Sequence, residues 1–344
     1  MRLILHVTDA CNLRCSYCFY RHGGAVMDLD TALAAISCVT PAAGRVDELV
    51  FFGGEPLLCR DLVLKTASWC RKEHPGRFAI SLTTNGTLVD REYASAAQAL
   101  EIETAVSLDG TVETHDRCRR HSDGRGSYRE ALVGWSLLRE IGMNPVAMKT
   151  VTRETVATIA ADVKALLDVG VRRIGMGIDL FNGQWQPSDF EALRRGYGEV
   201  ADLYVKHLGC DSAFSFHPFE RRFGRGRSCA FGRGVLAVSP DGRFFPCNSF
   251  VGNDAFCLGN VDMGVDAKRM ESLCRQAHGA GAGCAGCALE GRCLSRCPCR
   301  NFSLSGSFEP SPILCCHERA VFPAVDRIVD AAARMGVALL EKRR

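Results

Sequence analysis

The sequence has no apolar run approaching the ~20 residues that a membrane-spanning helix needs. Its first residues, Met-Arg-Leu-Ile-Leu-His-Val, turn polar too soon for a secretory signal. No sign of charge dominates either: 42 Lys and Arg stand against 39 Asp and Glu, for a net charge of +3. The second basic run, Glu220-Arg-Arg-Phe-Gly-Arg-Gly-Arg227, has few aromatics and no repeat, so it reads as a linker rather than a nucleic-acid face. These absences predict a cytoplasmic protein with no membrane and no nucleic acid among its partners. Such a compartment keeps thiols reduced, so disulfides do not explain nineteen cysteines. Eleven of them lie between Cys229 and Cys316, a density that asks for metal.

What is present begins at Thr8-Asp-Ala-Cys-Asn-Leu-Arg-Cys-Ser-Tyr-Cys18, directly after the strand-like run Leu3, Ile4, Leu5, Val7. The spacing Cys11-x3-Cys15-x2-Cys18 turns three thiolates toward one point. A structural zinc site wants four closed ligands, usually as two pairs, and the next cysteine, Cys38, is isolated. Three ligands are one short of what a 4Fe–4S cluster normally takes, leaving one iron for a group that is not protein.

The triad, with Tyr17 before its third cysteine, resembles the signature of the radical S-adenosylmethionine (SAM) superfamily. The resemblance implies that the open iron chelates the amino and carboxylate groups of SAM and that an electron from the cluster splits its sulfonium, giving a 5′-deoxyadenosyl radical. It extends along the chain. Gly53-Gly-Glu-Pro56 matches the family's GGEP element, with Gly53, Gly54, Glu55 and Pro56 implied to meet SAM and Glu55 its amino group. Taken alone, two glycines let backbone approach a ligand closely. Thr83-Thr-Asn-Gly-Thr87 and Ser107-Leu-Asp-Gly110 end strand candidates with small polar residues, and in related enzymes the residues matching Asn85, Ser107 and Asp109 lie beside SAM or substrate. Ile174-Gly-Met-Gly-Ile178, with Met176, is similar to the stretch that packs the adenine. The loop His115–Gly126 is basic and reads by itself as a solvated loop, although similar loops recur in SAM/SPASM maturases.

From residue 1 to about 208, short apolar runs alternate with amphipathic ones. Strands are expected at Arg2–Val7, Glu48–Phe52, Phe78–Leu82, Glu103–Ser107, Asn144–Val151 and Val171–Ile178, with helices between and after them. This alternation argues for parallel βαβ units, and six units fit a partial (β/α)6 TIM-like barrel with function at the strand carboxyl ends. The expected organisation is a barrel over 1–208, a linker over 209–228, a cysteine-rich domain over 229–322 and a C-terminal helix over 323–344. Within the third part, Val235–Val238 and Phe244–Phe245 flank Ser239-Pro-Asp-Gly242 and predict a hairpin.

The cysteines of that part run Cys229-x12-Gly242-x4-Cys247, then Cys284-x2-Cys287-x5-Cys293-x3-Cys297, then Cys315. A zinc ribbon from the central four would leave Cys229, Cys247 and Cys315 unemployed. The pattern resembles the SPASM domain, and the resemblance implies two auxiliary 4Fe–4S clusters, three in all with the SAM-binding one. It puts Cys229, Cys247 and Cys297 on the first auxiliary cluster, and Cys284, Cys287, Cys293 and Cys315 on the second. The first then lacks a fourth ligand: Phe223-Gly-Arg-Gly-Arg-Ser228 has no cysteine, Cys210 and Cys257 are candidates, and an open iron is the alternative. Cys299 competes with Cys297, and Cys316 with Cys315.

The resemblance implies an oxidoreductase acting on a peptide or protein, fed by a reductant such as flavodoxin or ferredoxin. No peptide-recognition domain precedes the first strand, which argues against a maturase with a built-in leader-binding domain, although a separate leader-binding protein could serve. A thioether or carbon–carbon crosslink ranks first, formylglycine formation in a sulfatase second and small-molecule dehydrogenation third. The second rank follows from Asn248, which stands where sulfatase maturases carry an Asp, because an amide is no general base. An iron–sulfur or zinc scaffold without activity is the rival from another class. The sequence assigns no catalytic residue beyond the cofactor-holding groups.

Overall fold

A computed structural model describes residues 1–20, 22–39, 47–182, 184–224, 229–279 and 284–339. In chain order, strands and helices alternate from the start: β1 Arg2–Thr8, α1 Leu29–Val39, β2 Asp47–Gly53, α2 Arg60–Glu73, β3 Phe78–Thr84, α3 Arg91–Ala99 and β4 Ile102–Ser107. There follow α4 Val112–Cys118, α5 Tyr128–Glu140, β5 Val146–Val151, α6 Ile159–Asp168, β6 Arg173–Ile178 and α7 Pro187–Lys206. The remainder comprises β7 Ser215–Phe216, α8 His217–Glu220, β8 Val235–Val238, β9 Phe244–Phe245, α9 Ala267–Gly279, α10 Pro298–Ser305 and α11 Pro312–Met335, with two further two-residue strands before α9. All six expected strands form, and the fold is α/β.

Contacts divide the chain into two compact units. One takes residues 1–107, 119–145 and 230–279, and the other takes 108–118, 146–229 and 280–344. Each draws residues from both sides of the boundary expected near 209–228. In the first unit β1 pairs in parallel with β2, β2 with β3 and β3 with β4. The burial of β1 explains its unbroken apolar run: Leu3, Leu5 and Val7 are within 1% of full burial, and Ile4 is 7% exposed. A parallel strand covered on both faces reads this way. The hairpin forms as expected, with Val238 opposite Phe244 and the Gly242 N–H donating to the Ser239 carbonyl at 2.9 Å. It is not confined to a cysteine-rich module, because β8 lies parallel beside β1 and extends the main sheet.

The second unit pairs β5 with β6 and β6 with β7, again in parallel. Its sheet is locked by an ion pair without solvent exposure: Lys149 Nζ lies 2.7 Å from Asp162 Oδ2 and 2.5 Å from the Asp109 carbonyl. Gly110 has a φ of +129°, and a Cβ there would sit 2.2 Å from that of Asp162, so this approach requires glycine. A second buried network joins Arg222 to Glu318 on α11, with Tyr197 Oη 2.9 Å from His317 Nε2. Burial would raise the Glu318 carboxyl, but His317 and Arg222 hold it well below its usual range.

The C-terminal helix differs from its expected range of 323–344. It begins at Pro312, in the first turn where proline's missing N–H costs nothing, and ends at the left-handed Gly336. Pro323, read as its start, is inside it. The tail Lys-Arg-Arg at 342–344 and most of the 223–228 stretch lie outside the described residues.

Candidate functional site: a scaffolded cysteine loop and two further thiol groups

The carboxyl end of β1 leads straight into the cysteine loop, and the loop after β2 fixes it. Gly54 N donates to the Thr8 carbonyl and Glu55 N to the Ala10 carbonyl, both at 2.8 Å. A Cβ on Gly53 would lie 2.2 Å from the Thr8 oxygen, and one on Gly54 would lie 2.0 Å from that of Ala10. The glycine pair therefore permits close approach of backbone to backbone, where the sequence suggested approach to a ligand.

Glu55 is 1% exposed and caps the short 3-10 turn that Pro56 starts. Its carboxylate accepts from Leu57 N at 3.0 Å, Thr84 Oγ1 at 2.7 Å and Asn85 N at 2.7 Å. Burial pushes its pKa up to about 6, against these three donors. Glu55 thereby ties the end of β3 to the loop after β2. Asn85 passes the connection on: its Nδ2 reaches Asn12 Oδ1 at 2.8 Å and Cys11 Sγ at 3.9 Å. Leu13 N also donates to Cys11 Sγ, at 3.4 Å. Burial raises the Cys11 thiol, as do Glu55 and Cys18, while Leu13 and Asn85 favour its thiolate.

The far side of the loop is held by the basic segment. Arg14 N donates to the Arg120 carbonyl at 2.6 Å, and the Arg119 guanidinium lies 5.2 Å from the Tyr17 ring centre. Arg119 is 6% exposed, and His115 and Cys118, which belong to α4 in the other unit, are more deeply buried. Within 115–126 the stretch around His115, Cys118 and Arg119 is packed, while 122–126 is exposed, as the solvated loop read from its composition implies. Cys18 remains exposed at the rim, and Phe19 beside it is 57% exposed.

Below the loop, His6 on β1 is fully buried, stacked against Tyr20 with Nδ1 2.7 Å from the Tyr20 hydroxyl. Burial lowers its pKa to about 4, partly offset by Asn248. The imidazole is neutral at pH 7, and its Nε2 and Asn248 Oδ1 are both buried without a hydrogen bond meeting geometric limits. Sequence reading missed His6, whose only signal was a titratable residue inside an apolar strand.

Ser107, 8% exposed, ends β4 in the same unit, whereas Asp109 and Met176 belong to the other. There, Asp109 Oδ1 accepts from Thr150 N at 2.7 Å, which makes it a strand anchor. On β6 a Cβ on Gly175 would strike Met148 Sδ at 2.4 Å, while one on Gly177 would meet nothing within 4 Å. Met176, between them, is half-buried.

None of the nineteen cysteines forms a disulfide. In the second unit, burial disfavours ionisation of Cys315 in the first turn of α11, and the charges of Cys293, Cys284 and Cys287 add to that effect while Arg319 opposes it. Cys316, next to it, is exposed. Cys297 forms the N-cap of α10, and Cys299, 1% exposed, lies in that helix's first turn. Cys247 belongs to the first unit, at the turn Asn248–Phe250. Among the described residues, no three His, Cys, Asp or Glu side chains close on a single-ion site. A cubane differs in demand, since each cysteine takes a different iron. The thiol groupings, with N–H donors aimed at Cys11 Sγ, fit such clusters and do not fit one tetrahedral zinc.

Residues 5–163 match the profile of the Radical SAM superfamily, so the chain carries a radical SAM domain. Across 340 aligned residues the chain is 26% identical to the serine-type anaerobic sulfatase-maturating enzyme of Klebsiella aerogenes, covering 86% of this chain and 79% of that protein. Among solved structures, native anSMEcpe with bound AdoMet and Cp18Cys peptide superposes with a TM-score of 0.81 at 20% identity, over 96% of this chain and 98% of that one. Streptococcus suis SuiB bound to its precursor peptide SuiA gives 0.66 at 16% identity, over 91% of this chain and 75% of that one. The fold is that of these radical SAM enzymes.

Proposed function

We propose that this chain, a radical SAM protein over residues 5–163, oxidatively modifies a side chain of a peptide or protein substrate, most simply by a thioether or carbon–carbon crosslink. The observation that supports the reading is a second set of cysteines, Cys284, Cys287, Cys293 and Cys315, separate in sequence from the Cys11–Cys18 triad. SAM cleavage needs the triad alone. Further cysteine sets suit an enzyme that must also remove an electron from its substrate, and the similar proteins include maturases whose structures hold peptides.

Cys11, Cys15 and Cys18 would hold the SAM-binding 4Fe–4S cluster, and Cys284, Cys287, Cys293 and Cys315 an auxiliary one. Cys229, Cys247 and Cys297 are assigned to the other auxiliary cluster from their spacing. Bound at the triad, the first cluster would supply the electron for reductive cleavage of SAM and so the hydrogen-abstracting chemistry of the reaction. The chain's own residues keep this ordered. The backbone clamp between Thr8–Ala10 and Gly54–Glu55 fixes the cysteine loop, and Leu13 N–H and the Asn85 amide stabilise the Cys11 thiolate. Arg119 packed over Tyr17 closes one side of the loop against water.

Formylglycine formation is the second reading, favoured by the full-length similarity to a sulfatase-maturating enzyme. It ranks below because Asn248 supplies no base at the position where such enzymes carry an Asp. Small-molecule dehydrogenation ranks third. The deciding experiment incubates oxygen-free enzyme with SAM, dithionite and candidate peptides. A crosslink appears as the loss of two hydrogens with no aldehyde, whereas formylglycine is trapped by a hydrazide. Failure to form 5′-deoxyadenosine, or zinc in place of iron in protein purified without oxygen, refutes the radical reading itself.

A further inference from the structure

The loop before α10 carries a hydrogen bond that cluster ligation alone does not require. Cys293 Sγ lies 2.8 Å from Ser295 Oγ and also accepts from Ser295 N at 3.3 Å. The backbone bond has a counterpart at the triad, where Leu13 N donates to Cys11 Sγ at 3.4 Å. Each loop turns the N–H two residues beyond a cysteine onto its sulfur, an outer-sphere donor of the kind that orients and tunes a metal ligand. Ser295 adds a hydroxyl to that pattern.

The hydroxyl is held in place from both sides. Ser295 is 4% exposed, and its carbonyl accepts from Asn301 Nδ2 on α10 at 2.8 Å. Asn301 is anchored in turn, since its Oδ1 accepts from Ser311 N at 2.8 Å. On the other side, Leu294 N donates to the buried Glu318 carboxylate on α11 at 3.1 Å. All of these residues belong to one unit.

In a free Cys293 thiol either partner can donate the shared hydrogen. A ligating cysteine is a thiolate with no hydrogen to give, so the Ser295 O–H is then the donor. Reduction of a 4Fe–4S cluster adds one electron and no bond, and negative charge on its sulfurs grows. A donor aimed at a sulfur therefore stabilises the reduced form more than the oxidised one. Because Ser295 is so little exposed, water has small access to take its place.

We propose that Ser295 raises the reduction potential of the cluster assigned to Cys284, Cys287, Cys293 and Cys315 by donating its hydroxyl hydrogen to Cys293 Sγ. Ser295 is a positioning residue in this role, since it acts through Cys293. The inference rests on the auxiliary-cluster reading above. The test is a redox titration of anaerobically reconstituted full-length protein, read by electron paramagnetic resonance on the reduced-cluster signal that Cys315→Ala removes. Ser295→Ala should keep about twelve irons and lower the midpoint of that signal, by about tenfold in the reduction equilibrium or about 59 mV for one electron. The other signals should keep their midpoints. Ser295→Thr, which retains the hydroxyl, should match wild type, and Ser295→Val, close to threonine in size, should match Ser295→Ala. This second pair decides where alanine disturbs the loop. Wild-type midpoints in Ser295→Ala and Ser295→Val would overturn the inference and leave the auxiliary cluster standing. A shift in Ser295→Thr as large as in Ser295→Val would overturn it too, by assigning the effect to packing. Iron loss in both Ser295→Ala and Ser295→Val would do the same, since Ser295 would then hold the cluster rather than tune it. If Cys315→Ala removes no signal and no iron, the auxiliary-cluster reading falls, and this inference falls with it.

Discussion

The Cys11–Cys18 loop and the Cys284–Cys299 stretch both gather thiols, yet they are built in opposite ways. The first hangs from the end of a buried strand and is clamped by backbone bonds to the loop after β2 and to Arg120. The second contains no strand and no helix longer than a single turn before α10, and borrows its shape from side chains on α11: Leu294 N donates to Glu318 at 3.1 Å, and Arg292 pairs with Asp326. The sheet makes the first site before any cluster arrives. In the second, the proposed cluster would share that work with side-chain bonds, so its binding would be coupled to local folding.

The largest test of that contrast removes the triad. Cys11→Ala/Cys15→Ala/Cys18→Ala should abolish all SAM cleavage and lose about four irons, while the amides of β1 to β3 stay protected from hydrogen exchange. Deprotection of β1 would show that the cluster, not the sheet, shapes the loop. Removing all iron by chelation should then split the molecule's behaviour: exchange should rise across 284–297 and change little in β1–β3. Uniform exchange would erase the distinction drawn here.

Glu318→Gln leaves the Arg222 guanidinium buried without its counter-charge, which costs about 3–5 kcal/mol. The unfolding midpoint should fall, and iron should be lost first from the Cys284/Cys287/Cys293/Cys315 group. In contrast, the first unit pays for a buried neutral histidine only in acid. His6 has its pKa lowered from 6.5 to about 4 by burial. Its contribution to stability is therefore present above pH 6.5 and drains away as pH falls toward 4, by about 3 kcal/mol in all. Stability measured between those pH values should fall less steeply in His6→Gln, and an unchanged slope would show that the imidazole is not the group being charged. The smallest effect is expected of Glu55→Gln, which turns an amide toward three donors. A charge-assisted bond is worth roughly 1.5–3 kcal/mol, so SAM affinity should fall about ten- to a hundred-fold with iron content intact. Equal affinity in the two proteins would assign Glu55 to structure alone.

The sequence was most legible where one period repeats. All six strands of the βαβ alternation are present with ends shifted by a residue or two, because a buried parallel strand and an amphipathic helix each write a distinct pattern. The grouping of Cys315 with Cys284, Cys287 and Cys293 came from the family resemblance alone, and the start of α11 beside it was not legible. That start was hidden because Cys315, Cys316 and His317 obscure the helical period that is plain from Val325 onward. The tertiary uses of Glu55, Asp109 and Gly53–Gly54 were also illegible. Each side chain or its absence serves a neighbour distant in sequence, such as Thr84, Thr150 or Thr8. Lys149 drew no attention in a strand, although it holds the most deeply buried ion pair of its unit.

The clamp between Thr8–Ala10 and Gly54–Glu55 has a consequence for how the chain tolerates added or deleted residues. Strand β1 works as a ruler: Cys11 is placed by counting three residues from Thr8, whose carbonyl is already taken by Gly54. One residue inserted between Thr8 and Cys11 would leave every side chain unchanged. It would still slide the cysteines off their mark by about 3.3 Å, the rise of one extended residue. Length, more than composition, is what this short segment conserves for the site.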